Sequence, residues 1–146
     1  MDYSIPEDSR CVFRPFEISC CTRGYCGGKS EIHADINQDA ITTVLAWMMT
    51  RIITKKPIVK VTTVIANEIF AWNEGGDIAT QIEPIVKFQG RIGAPLNSDM
   101  SHEDAIEIIN DLATHVGERF NQKVVNVSYH DKSWSLLKED LEPDKD

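Results

Sequence analysis

Residues Ile85 to Tyr129 restrict the possible folds more than any other stretch, because they spell a strand, a loop, a helix and a second strand in direct succession. Val86, Phe88, Gly90 and Ile92 alternate with Lys87, Gln89 and Arg91, the period-2 pattern of a strand with one face in the core. The loop Gly93–Met100 delivers the chain to Ser101, which predicts a helix N-cap with Asp104 completing a shortened capping box. Ala105, Ile109, Leu112, Val116 and Phe120 then fall on one helical face. Asn121 and Gln122 end the helix, and Val125, Val127 and Tyr129 alternate with Asn126, Ser128 and His130 in the next strand.

The preceding chain predicts a matching unit. Ser30–Ile36 alternates, with Ile32, Ala34 and Ile36 on one side and Glu31, His33 and Asp35 on the other. Asn37 is placed to cap a helix ending near Lys55, with Ile41, Val44, Leu45, Met48 and Ile52 as its buried stripe and Pro57 as its stop. Trp47 lies off that stripe, which marks either an interface or a second packing layer from the N-terminal hairpin. Ile58–Trp72 reads as a long strand with Val59, Val61, Thr63 and Ile65 on one face and a bulge near Ala66–Glu68. Asn73–Asp77 forms a hairpin turn, Ile78–Glu83 resumes the strand, and Pro84 interrupts it. Ser133–Leu137 adds a short strand or turns back onto the core. Cys11–Cys21 contains Pro15, so a strand there is expected at a sheet edge.

From Ser30 the order is β-α-β-β-α-β. This predicts an α+β fold: an antiparallel sheet with both helices on one face, in the ferredoxin-like split β-α-β arrangement, preceded by an N-terminal hairpin. At 146 residues and 42% hydrophobic content, the chain is expected to form one domain over 1–137, followed by an acidic, disordered tail over 138–146.

The chain carries 15 Lys and Arg against 23 Asp and Glu, a net charge of −8, which disfavours nucleic acid because phosphate binding relies on clustered cations. No apolar run approaches membrane-spanning length and the N-terminus carries no signal-like segment, so a cytoplasmic protein with no membrane association is expected. Gly24–Ser30 tempts a phosphate-loop reading, but Arg23 stands where the first glycine is required and the following segment reads as strand. Cys11, Cys20, Cys21, Cys26 and His33 lack the usual zinc-knuckle spacing, so free or buried thiols are preferred to structural zinc, and no cofactor is expected.

The sharper site comes from the topology. The sheet face not covered by helices would present His33 and Asp35 on one strand, Lys87 and Arg91 on another, and His130 on a third. Such a set suits an anion, a metal held by His33, Asp35 and His130, or acid–base work. With no legible catalytic set, the preferred expectation is a non-enzymatic binding module that takes a protein partner or a small-molecule ligand, not nucleic acid, and forms a homo-oligomer through protein–protein interaction. The alternative is a small enzyme or an anion- or metal-binding protein that uses the open polar face. The strand–helix–strand run from Ile85 to Tyr129 resembles small tautomerase-like and ferredoxin-like domains. The tautomerase activity is not expected, because it needs a proline at the mature N-terminus and this chain begins Met-Asp.

Overall fold

The computed structural model describes residues 2–4, 14–21, 36–93, 97 and 99–139. The elements in chain order are β1 (Arg14–Cys21), α1 (Ile36–Ile53), β2 (Thr62–Glu74), β3 (Asp77–Ile92), α2 (His102–Arg119), β4 (Val124–Tyr129) and β5 (Lys132–Leu137). The strands form one sheet in the order β2-β3-β1-β4-β5, and every neighbouring pair is antiparallel. The fold is α+β. Phe16, Ile18 and Cys20 of β1, Val86, Phe88 and Ile92 of β3, and Val125, Val127 and Tyr129 of β4 form one core with the buried residues of both helices.

The centre of the sheet differs from the expectation. Arg14–Cys21, expected at an edge because of Pro15, is the central strand between β3 and β4. Pro15 is tolerated because β4 pairing begins only at Phe16, so the proline sits where no ladder bond to β4 is required. Its carbonyl still accepts from the His130 backbone N–H at 2.8 Å. The expected strand Ser30–Ile36 lies outside the described residues up to Asp35, and Ile36 belongs to α1.

Residues 85–129 fold as their pattern dictates. Ser101 caps α2, its hydroxyl accepting from the Asp104 backbone N–H at 3.1 Å. Ala105, Ile109, Leu112, Val116 and Phe120 are all buried. Past the helix, the Gln122 side chain behaves like a strand residue: its Oε1 accepts from Cys21 N at 3.1 Å and its Nε2 donates to Cys21 O at 2.7 Å. This satisfies the β4 side of Cys21, beyond the last β1–β4 pairing at Ser19↔Asn126.

Helix α1 turns a different face to the core from the one its hydropathy suggested. Ala40, Thr43, Val44, Trp47 and Arg51 are buried, whereas Ile41, Leu45 and Ile52 are exposed along with Met49 and Ile53. Trp47 is therefore packing, not interface. Its Nε1 donates to Asp111 Oδ2 at 3.0 Å, and the Arg51 guanidinium lies over its ring at 5.4 Å. Arg51, only 3% exposed, is held by Asp111 at 2.7 Å, by Glu107 at 3.5 Å and by the Pro57 carbonyl at 2.6 Å.

Strands β2 and β3 pair without a break from Thr62↔Gln89 to Glu74↔Asp77, so the expected bulge near Ala66–Glu68 is absent. Pro84 does not interrupt β3. Among the described residues the last β1 pairing is Cys21↔Ile85, and Pro84 keeps its place in the β2 ladder opposite Asn67. Beyond this point, among the described residues, the hairpin continues as a two-stranded ribbon. Its turn uses left-handed Gly75 (φ 63°) and Gly76 (φ 95°), with Asn73 Oδ1 accepting from Gly76 N at 3.1 Å.

Among the described residues no helix is long and apolar enough to cross a membrane. Cys21 is disulfide-bonded and its partner cysteine lies outside the described residues, a correction to the expectation of thiols. Cys20 is free, and burial pushes its thiol up to about 12. Asp140–Asp146 of the acidic tail also lie outside the described residues.

Candidate ligand site on the open sheet face

Strand alternation gives the sheet a second face, away from the helices, and register arranges its side chains in rows. One row runs Gln89, Glu17, Ser128 and Ser133 across β3, β1, β4 and β5. The next runs Lys87, Ser19, Asn126 and Ser135 across the same strands. Four of the eight are serines, and such short side chains leave room. Glu17, Ser19, Asn126, Ser128, Ser133 and Ser135 line a trough of about 460 Å³, a volume in the range of small-molecule sites.

Glu17 is the only carboxylate in these two rows, and it is held in place. Gln89 Nε2 donates to its Oε1 at 2.6 Å, and Lys87 Nζ stands 3.5 Å from the same oxygen. Both partners lie on the β3 side, so the β4 side of Glu17 faces the trough. The Ser135 hydroxyl donates to Asn126 Oδ1 at 2.8 Å, which fixes the far wall. The floor thus offers one negative pole, one positive pole and several neutral hydrogen-bonding groups. Further along the same face, on the ribbon, Glu68 pairs directly opposite Glu83.

The residues singled out from the sequence fall in three places. Lys87 and Arg91 share the open face of β3, with Arg91 one row beyond Gln89 and paired with Pro15. His33 and Asp35 lie outside the described residues. His130 is past the end of β4, in the turn to β5, with a left-handed backbone (φ 57°) and its ring 5.7 Å from that of His102. Among the described residues no group of three or more His, Cys, Asp or Glu is placed to hold a metal. Glu17, Ser19, Ser133 and Ser135 were missed. The signal for the first two was present: Phe16, Ile18 and Cys20 alternate with Pro15, Glu17 and Ser19, but Pro15 argued the segment to an edge.

No protein-family model matches the chain, and no curated protein matches it significantly in sequence. Two solved structures share its fold. A phage SAM lyase in complex with S-methyl-5'-thioadenosine is similar at a TM-score of 0.59 and 17% identity, over 95% of this chain and 100% of that chain. A phage SAM lyase in the apo state is similar at a TM-score of 0.53 and 17% identity, over 88% of this chain and 92% of that one. The expectation of a non-enzymatic binding module is corrected by this finding: the architecture that covers almost the whole chain is one that houses an enzyme bound to a small molecule.

Proposed function

We propose that this chain is a small enzyme that removes a neutral thioether from a sulfonium nucleoside of the S-adenosylmethionine class, using the open face of its sheet. The observation that carries the reading is the coincidence of a lyase-like fold over 95% of the chain with a polar trough built around Glu17. The substrate carries a sulfonium and an ammonium beside a carboxylate. Glu17 suits the cationic groups and Lys87 suits the carboxylate, and Arg91 extends the positive side of the same face. The serine and asparagine wall supplies hydrogen bonds to the sugar and base edges. The substrate's own carboxylate attacks the carbon bonded to the sulfonium: a C–O bond forms as the C–S bond breaks, the electron pair goes to sulfur, and neutral methylthioadenosine leaves beside a lactone of the amino acid. No proton is needed, so the site works by holding the carboxylate in line with the C–S bond and keeping water away. Incubation of purified protein with S-adenosylmethionine tests this: methylthioadenosine accumulates, and Glu17→Gln slows its formation by about a hundredfold, as loss of a positioned charged group does. No product with the wild-type chain would contradict it.

We read the strand order β4-β1-β3-β2, with β5 added outside β4, as the ferredoxin-like split β-α-β arrangement. A homo-oligomer is the state that best accounts for the exposed apolar surface. On the ribbon Ile69, 74% exposed, pairs opposite Ile82, with Ile78 further along the same face. On α1, Ile41, Leu45, Met49 and Ile52 form an exposed stripe. A second copy of the chain, carrying the same apolar surfaces, is the partner that covers them. The proposed substrate class supports a cytoplasmic setting, and the Cys21 disulfide stands against it.

A further inference from the structure

At the end of the sheet where β1 begins, on the helix side and so across the sheet from the trough, Arg14, Tyr129, His102 and His130 come together. Arg14 is 8% exposed. Its Nη1 donates to Tyr129 Oη at 2.8 Å and its Nη2 to the Met100 carbonyl at 2.6 Å. Tyr129 Oη lies 2.8 Å from His102 Nδ1, and Arg14 Nη1 lies 3.4 Å from the same nitrogen. Because the tyrosine oxygen accepts from the guanidinium, its own proton is available to His102. The His102 ring packs 5.7 Å from Tyr129 and 5.7 Å from His130.

Two features of this group oppose stability. Among the described residues no carboxylate pairs with Arg14, and a buried charge without a counter-charge is costly. His130 is a non-glycine residue in the left-handed region, a conformation that has a backbone cost and that sets its ring beside His102. His102 is the first residue of α2, at the positive end of the helix dipole, and Glu103 and Asp104 follow it in the same turn. Arg14 is the buried charge of this group, and an anion beside it supplies a counter-charge.

We propose that Arg14, His102 and His130 form a binding site for a small oxyanion of the phosphate or carboxylate type, separate from the trough on the other face. Guanidinium N–H groups not used by Tyr129 and Met100 hold it from below, and the two exposed imidazoles close over it.

The test is a titration of the intact protein with inorganic phosphate at constant ionic strength, balanced with chloride. The ring resonances of His102 and His130 and the melting temperature are followed together. The site predicts saturable shifts of both rings and a rising melting temperature. His102→Gln and His130→Gln, both at exposed positions, each weaken apparent affinity by about tenfold, as loss of one charge-assisted hydrogen bond does. Acetate in place of phosphate identifies the source: tighter phosphate binding indicates a phosphoryl ligand and tighter acetate binding a carboxylate, and either supports the site. Shifts that grow linearly without saturation, or glutamine variants that bind as wild type, overturn it. Neither result touches the lyase reading, because the trough shares no residue with this site.

Discussion

The Trp47 indole of α1 and the Asp111 carboxylate of α2 are joined by a 3.0 Å hydrogen bond, and the same oxygen receives Arg51 at 2.7 Å. One carboxylate thus orients the largest side chain between the helices and neutralises a buried guanidinium. Burial works to raise the Asp111 carboxyl, but the hydrogen bonds from Trp47 and Arg51 and the charges of Arg51 and Lys56 outweigh it and hold it below its ordinary 3.8. The native state therefore binds fewer protons here than the unfolded chain. The stability this provides is complete above the ordinary value and is lost as pH falls through the native one. Wild-type melting temperature should fall more steeply below about pH 4 than that of Asp111→Asn. At neutral pH Asp111→Ala should lose about 1–3 kcal/mol, limited by the half-exposed position of the carboxylate, as read by urea denaturation.

Gly90 is needed for space. A Cβ there would meet the Lys60 carbonyl oxygen and lie 2.6 Å from Phe16 Cζ, with backbone on one side and a core ring on the other. Gly90→Ala should lower stability by about 1–3 kcal/mol or more through overpacking, at unchanged helix content by circular dichroism.

Cys20 is enclosed, and its thiol stands near 12, so it holds almost no thiolate at neutral pH. In the native protein it should resist alkylation by iodoacetamide over hours, then react completely in denaturant. Intact-mass measurement reads both results, and rapid native labelling at Cys20 would contradict its burial.

The ribbon offers a test of association that leaves the core alone. Ile69→Lys with Ile82→Lys places two charges on an exposed cross-strand pair. Light scattering should show the wild type larger than one chain and the double variant reduced toward a monomer, with little change in melting of the monomeric unit.

The parts of the fold that were legible are those where hydropathy and burial agree. The second half of β3, from Ile85 to Ile92, and α2 and β4 put their apolar residues in the core, and a capping serine and a turn residue marked the ends of α2. Helix α1 was misread because its most apolar stripe, with Ile41, Leu45 and Ile52, is exposed, while Thr43, Trp47 and Arg51 are buried by bonds to groups on another helix. Periodicity counts apolar residues and cannot see that Asp111 makes an arginine buriable. The open face was half legible for the same reason. Lys87, Gln89, Asn126 and Ser128 followed from alternation, whereas Glu17 and Ser19 depended on knowing that a proline at the start of β1 lies beyond the β4 pairing.

The proposed substrate site, on the open face beside Glu17, can be seen in a crystal structure of the protein with methylthioadenosine. The nucleoside should lie in the trough, within hydrogen-bonding distance of Glu17 or of the Ser128, Asn126 and Ser135 wall. A nucleoside bound elsewhere, with the trough vacant, would overturn the proposal.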